Sequence, residues 1–582
     1  MERVIKIFLL TFLWSHCFLG NVFSQNYYVD SILGVDGNDG TSIEFPWKTF
    51  KNVNAHKYYS GDRILLKRGA VWEDNISISS ASGTESDPII IGAYGTGENP
   101  LIKCSTAFSN WELWIDDSNL KIWKGEIPDV KTSLGAMKNN ILINKYVPYK
   151  IEGDELSAPD DLRTMKNNHF FSPLNSYIFY MRDDAGKPSN IEIGSRPYAI
   201  KIISSKFLII DSIDCYGIGG ANSSSGTSGL EQISISGSDH IIIKNLKLSY
   251  HHSAGAIVEG GSTNCILEDI TSFKHGSTGL YFSSAGSGNE AIRCEVYDCG
   301  YSPMLFGDHG LIGIWNTPGV KIDSCFVRNN GSSQDVKLDA AISFVQSPNG
   351  SVVNSYVKDA AGIGIMFAEN ANNGLVAYSI IDHWAVHGTT LTKQSDFGGI
   401  RIGAGNLTLA QTDCKIYNNL FINGGGTTRR WAALMISNCV NKGTKVKNNI
   451  FYNNINGYEV WADSKDGFEN WEFSNNLYFR TNGNVISWNN IDYGYKNIIG
   501  YEKGYFSFDQ KQGQNSIVSD PMLTSDKRNL LQNSPCIGKG INLGFKSDFN
   551  GNAILEDATV DIGPFEFKKY SAPQPPKGIR IE

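Results

Sequence analysis

Apolar and polar positions alternate along this chain in short bursts, and between about Phe207 and Phe479 the bursts recur. The segments EVYDCG (Glu295–Gly300), FVRNNG (Phe326–Gly331), YVKDAAG (Tyr356–Gly362), FINGGG (Phe421–Gly426) and FYNNING (Phe451–Gly457) each place an apolar pair, then Asp or Asn, then Gly. At a variable distance follow alternating apolar strands: GLIGIW (Gly310–Trp315), AAISFV (Ala340–Val345), GIGIMF (Gly362–Phe367), GGIRIG (Gly398–Gly403) and AALMIS (Ala432–Ser437). A unit of strand, turn and strand returning roughly every 20 to 40 residues predicts a solenoid. One coil cannot bury its own apolar face, so coils must stack with parallel strands about 4.8 Å apart. The expected fold is an all-β parallel β-helix.

The polar positions support that register. Asp298, Asn329, Asp359, Asp382, Asn423 and Asn453 are expected to share one turn position, where a short polar side chain tolerates left-handed backbone. Asn418, Asn448 and Asn475, in YNNLF, KNNIF and SNNLY, form a second expected ladder. Cys265, Cys294, Cys325 and Cys414 fall early in their coils, where small side chains stack in the core.

Outside the repeat the pattern changes. Residues 1–24 carry Arg3 and Lys6, an apolar run and small residues before Gln25, which predicts a secretory signal peptide cleaved after Ser24. No other run of about 18 apolar residues follows, so the mature chain is expected to be exported, secreted or periplasmic, without membrane insertion. Residues 25–100 read as an N-terminal cap and first coils, 101–205 as a β-rich insertion, 206–480 as the main solenoid with its groove, and 481–582 as a closing segment and tail. In the insertion, WELWIDDSNLKIWKGEIP and SYIFYMRDDAGKP alternate as antiparallel hairpins do, and Trp111, Trp114 and Trp123 are read as packing residues. Nine cysteines remain after cleavage; spread at coil spacing, they point to buried free thiols. A net charge of -8 without a basic cluster argues against a nucleic-acid partner.

YVDS, GVDGNDGTS and PWKTF near the mature N-terminus, GDRILLKRGAVWEDNISI after them, and DIGPFEF (Asp561–Phe567) near the end together resemble secreted right-handed parallel β-helix carbohydrate-active proteins of the pectin lyase-like superfamily. The resemblance implies a right-handed helix and a polysaccharide or oligosaccharide partner. It is silent on oligomeric state. Polygalacturonase motifs are not reproduced: DHG (Asp308–Gly310) and RIG (Arg401–Gly403) are only faint echoes, and no N-T-D element is present.

Insertions at one corner of a solenoid mark its binding face. YSPMLFGDHG (Tyr301–Gly310), SSQDVKLD (Ser332–Asp339), TTLTKQSDFG (Thr389–Gly398) and TTRRWA (Thr427–Ala432) all enter the same strand stack. Three of them bring an aspartate close to the strand start: Asp308, Asp339 and Asp396. Glycoside hydrolysis needs two carboxyl groups, and stacked coils offer them about 5 Å or about 10 Å apart, near the retaining and inverting separations respectively. Asp308, Asp339 and Asp396 are therefore the expected catalytic set, Asp339 being central to both pairs. Ile400 and Ile402 turn inward, so Arg401 turns outward beside Ser343, Met366 and Met435. Arg401, His309, Lys337, Glu369, Trp315 and Arg430 are the expected substrate-binding residues, with Trp431 a second stacking candidate and Glu259 and Glu459 outward-facing subsite residues. The basic members suggest an anionic glycan.

Two other functions fit the same face. A polysaccharide lyase performing β-elimination would use Arg401, Lys337, His275 or His309 as base, with calcium neutralising the uronate. A non-catalytic carbohydrate-binding solenoid would use the face without chemistry. The hydrolase requires no metal or other cofactor. Asp36, Asn38 and Asp39 could hold a structural calcium, although a loop so rich in Gly and Asp is more often simply a tight turn, and calcium would otherwise enter only in the lyase reaction. The adjacent His251 and His252 point opposite ways on a strand, which argues against a metal site there.

Overall fold

The computed structural model describes residues 24–568 except 118, 128–135, 140, 143–144, 147–148, 152–153, 157–161, 169, 172–177, 220–230, 301–309, 329–339, 386–396, 404–410, 426–430, 437–439, 455–456, 464–468, 481–484, 489–490 and 494–512. Among these residues the one α-helix is Lys51–Ala55, and parallel strands dominate. Each coil contributes to three stacks. One is a 13-stranded sheet containing Gly310–Trp315, Ala340–Val345, Ile363–Ala368, Phe397–Ile402 and Trp431–Ile436. The other two run side by side in a larger sheet, as Lys321–Asp323 and Phe326–Arg328 do within one coil. In-register pairs such as Ile342 with Ile365 and Val327 with Val357 place like residues over like. The chain is a parallel β-helix.

Corners between stacks need left-handed backbone, and the sequence supplies residues that accept it. Asn354, Asn418, Asn448 and Asn475 adopt φ of 50°, 52°, 59° and 53° at one corner, and Asp298, Asp359, Asn423 and Asn453 adopt 52°, 52°, 57° and 58° at the next. Asp382 is a correction. Its register partners are Lys358 and Ile422, so His383, with φ 55°, holds the corner instead. Asp382 stands one residue earlier on the strand and accepts from Tyr356 Oη at 2.7 Å and Asn423 Nδ2 at 3.0 Å. Asn329 lies outside the described residues.

Just inside the first corner runs a relay of small polar side chains. The backbone N–H of Cys294 donates to Cys325 Sγ, Cys325 to Ser355 Oγ, Ser355 to Ser379 Oγ, Ser379 to Asn419 Oδ1, Asn419 to Asn449 Oδ1, and Asn449 to Asn476 Oδ1. A backbone donor that the bend leaves without a ladder partner is thus satisfied by the next coil's side chain. Cys265 and Cys414 are also buried but outside this relay; all eight described cysteines are free and buried.

Residues 104–195 interrupt the solenoid without ending it. Ile76–Ser79, before the interruption, pairs in parallel with Ile200–Ile203 after it. Between them lie a four-stranded and a five-stranded antiparallel arrangement around Phe170, Phe179, Met181 and Ile193, with Trp111 buried among them and Trp114 exposed. The C-terminal segment covers the outer faces of the later coils. Ile562 and Phe565 pack on Leu420, Ile450 and Leu477. The outer Asn ladder grips it: Asn418 Nδ2 donates to Gly563 O, Asn448 Nδ2 to Ile541 O and Asn475 Nδ2 to Lys539 O. Asp561 closes the segment on itself by accepting from the N–H groups of Gly538 and Phe567, both at 2.7 Å.

Candidate substrate groove

Ile312, Ile314, Ile342, Phe344, Ile365, Phe367, Ile400 and Ile402 enter the core, so the residue between each pair faces outward. Register aligns these outward residues in one row along the 13-stranded sheet. It runs from Lys201 and Ser234 through Ile257, Tyr281, Gly313, Ser343, Met366, Arg401 and Met435 to Trp461 and Ser487. Although the row faces away from the core, its centre is buried: Ser343, Met366 and Met435 are each 1% exposed and Arg401 7%. Arg401 Nε donates to Gly403 O at 2.9 Å, which ties the guanidinium stem to its own strand end. Tyr281 belongs to the same row and was not singled out from sequence; the alternation of Leu280, Tyr281 and Phe282 was the signal for it.

Asp308, Asp339, Asp396, His309, Lys337, Arg429 and Arg430 lie outside the described residues. The strands that follow them are placed. Asp339 immediately precedes Ala340–Val345, Asp308 shortly precedes the adjacent Gly310–Trp315, and Asp396 immediately precedes Phe397–Ile402, which is separated from Ala340–Val345 by one strand. Trp315 closes its strand 40% exposed, between Ser283 and Val345. Glu369 sits in the corner just past its strand with φ 51° and accepts from Gln346 Nε2 at 2.9 Å; its backbone role is that of a turn residue. Trp431, in contrast to its expected stacking role, is 1% exposed and part of the core cluster.

Two further expectations change. His275 is fully buried: its Nδ1 accepts from His251 N–H at 3.2 Å and its Nε2–H faces Leu248 O at 3.1 Å. Burial and the neighbouring His251 lower it to about 3, so it is a neutral core residue and not a base for substrate. Glu259 does face outward, half-buried between Ser236 and Ser283, with its carboxyl raised by burial and partly offset by Lys201. Glu459 instead points inward. The chain bends at the strand start, and the register pairing Leu434 with Val460 carries Glu459 over Ala433 toward the interior. One carboxyl oxygen accepts from Asn454 Nδ2 at 2.5 Å and the other has no hydrogen-bond partner.

Burial raises the Glu459 carboxyl to about 8, with Arg480 and Asn454 opposing. An unfolded glutamate titrates near about 4.3. The stabilisation from the protonated form is therefore full below the unfolded value and is lost as pH rises toward about 8. Glu459→Gln is expected to melt with the wild type in mild acid and above it in mild alkali. Asp561 and Glu566, also raised by burial, titrate in both proteins, so the difference isolates Glu459; a gap that does not widen with pH contradicts the assignment.

Among the described residues no group of three or more His, Cys, Asp or Glu is arranged to hold a metal ion. Near the N-terminus, Asp36 accepts from the N–H groups of Lys48 and Thr49 and from Thr49 Oγ1, Asp39 accepts from Thr41 N–H, and Asn38 Nδ2 donates to Pro46 O. Those bonds tie the loop to its own backbone between Asp36 and Thr49.

Residues 231–421 match the family model described as the right handed beta helix region. An alignment 157 positions long, covering 24% of this chain, is 38% identical to lacto-N-biosidase of Bifidobacterium longum subsp. longum; the match spans 9% of that protein's length. Among solved structures, XylC in complex with xylose aligns with a TM-score of 0.53 at 10% identity, over 94% of this chain and 99% of that one. A lacto-N-biosidase from Eubacterium ramulus aligns at 16% identity and a TM-score of 0.31, over 80% and 65% of the two chains. The fold is thus a right-handed parallel β-helix, and the chain resembles the pectin lyase-like carbohydrate-active proteins.

Proposed function

We propose that this protein is a secreted glycoside hydrolase that binds a polysaccharide or oligosaccharide along the outer face of the 13-stranded sheet. The observation that favours hydrolysis is the 38%-identical stretch shared with a lacto-N-biosidase, by its name a glycosidase. The burial of His275 also removes one base from the lyase reading. In the proposed reaction two of Asp308, Asp339 and Asp396 act as a pair. One, protonated, gives its proton to the glycosidic oxygen as the bond to the anomeric carbon breaks. The other, ionised, either attacks that carbon or takes a proton from the water that does. Arg401 faces the same row and is proposed to orient the substrate, by a paired hydrogen bond where the sugar carries a carboxylate or sulfate.

The test is incubation of the mature chain, beginning after Ser24, with uronate-containing, sulfated and neutral glycans, including oligosaccharides that end in lacto-N-biose. New reducing ends without the ultraviolet absorbance of an unsaturated uronate are expected. Rise of both signals together means elimination and overturns the hydrolase reading. Equal turnover of anionic and neutral substrates overturns the preference for an anionic glycan.

A further inference from the structure

The outward side chains at the ends of the strands in the 13-stranded sheet form a second row, one position past core residues such as Phe282 and Ile314. Register runs it from Ser236 through Glu259, Ser283 and Trp315 to Val345 and Ala368. Its two ends differ in access. Val345 and Ala368 are covered, at 5% and 1% exposure, whereas Ser236, Glu259 and Ser283 are partly exposed and Trp315 is 40% exposed. Glu259 and Trp315 stand two strand spacings apart, roughly 10 Å, and the residue between them is Ser283. A short side chain between two long ones leaves an open notch above the sheet. Glu259 brings hydrogen-bonding capacity to it, since a carboxylate can accept about four bonds. Its Oε1 is met at 3.5 Å by Ser234 Oγ, and Lys201, the cation that partly offsets its burial, lies two strands back.

We propose that Trp315, Ser283 and Glu259 form a subsite for one neutral pyranose ring, which rests its apolar face on the Trp315 indole and donates hydroxyl hydrogen bonds to the Glu259 carboxylate across Ser283. The subsite rests on the proposed function for the presence of a glycan on this face, and not for the reaction. An acidic sugar is disfavoured here, because its carboxylate or sulfate would be set against the Glu259 charge in a half-buried place. Arg401 lies three strands beyond the strand of Trp315, so an acidic group read by Arg401 belongs to a different sugar. The neutral end of the glycan is the one over Trp315.

The probes are lacto-N-tetraose, which is neutral, and trigalacturonate, which is anionic, titrated calorimetrically into the full mature chain, with KM followed for any probe that is cleaved. Trp315→Ala is expected to weaken lacto-N-tetraose binding about tenfold, the loss of one stacking platform, and Trp315→Tyr to recover part of it. Glu259→Gln is expected to weaken lacto-N-tetraose about tenfold, the loss of hydrogen bonds to a charged acceptor, and to improve trigalacturonate binding. A structural role would not give that reversal. Both side chains reach the surface, so Trp315→Ala and Glu259→Gln are expected to melt no lower than the wild type. Unchanged affinity and unchanged KM for lacto-N-tetraose in both variants overturns the subsite and leaves the hydrolase reading standing, and so does equal weakening of the two probes by Glu259→Gln. A lowered melting temperature in both variants also overturns it, since the two side chains would then serve the fold. Wild type that neither binds nor cleaves lacto-N-tetraose overturns the subsite; the hydrolase reading is then decided separately by the reducing-end panel.

Discussion

Asp339→Asn is expected to lower glycan hydrolysis by about a hundred- to ten-thousandfold, the range for removing a positioned acid or base. The size follows from what the substitution changes. Asparagine keeps the shape of the side chain but neither holds a transferable proton nor carries the negative charge that a nucleophile or base needs. Asp339 is the most informative of the three aspartates because Ala340–Val345, which it precedes, lies next to the strand after Asp308 and two strands from the one after Asp396. Whichever pair performs the reaction at adjacent or alternate coils, Asp339 belongs to it. The measurement is kcat/KM on the best substrate of the panel, with the melting temperature as a control for folding. Full activity in a folded Asp339→Asn variant rejects the carboxylate assignment.

Asn449→Ala is expected to destabilise the solenoid strongly, by about 3 kcal/mol or more. The Asn449 side chain accepts from both the backbone N–H and Nδ2 of Asn419, each at 3.0 Å, and donates to Ile416 O at 2.8 Å and Asn476 Oδ1 at 3.0 Å. It is wholly buried. Alanine deletes all of these bonds and leaves the buried Asn419 N–H without its acceptor, which alone costs about 1–3 kcal/mol, while Asn419 Nδ2 keeps Val376 O. Serine occupies the same place at 355 and 379 and still accepts from the preceding coil, so Asn449→Ser is expected to recover part of the loss. Urea unfolding with local hydrogen exchange checks both, because damage in a solenoid concentrates in neighbouring coils. If alanine and serine cost the same, the relay does not supply the stability.

The sequence carried the coil better than its exceptions. Apolar alternation in GGIRIG is enough to say which side Arg401 occupies, because a period of two leaves only two choices and Ile400 and Ile402 take the core. Corner residues were harder. Asp382 and His383 differ by one position, and the rule that Asp and Asn prefer left-handed backbone favours the wrong one; only the pairing with Lys358 and Ile422 fixes the register. Glu459 failed for a related reason. Alternation holds along a straight strand, but at the bend where the strand begins the side chain swings inward, and Asn454 receives it. Trp431 likewise begins a strand and is covered. The double Asn in YNNLF, KNNIF and SNNLY was legible as a ladder, whereas its division of labour was not. The first Asn of each pair grips the C-terminal segment and the second joins the interior relay, and both partners are distant in sequence.

A crystal structure of Asp339→Asn with a bound oligosaccharide tests the central claim most directly. The glycan is predicted to lie parallel to the solenoid axis on the outer face of the 13-stranded sheet, along the row of Gly313, Ser343, Met366, Arg401 and Met435. A glycan bound only elsewhere, for example against the exposed Trp114 of the insertion, with that row left bare, would contradict it.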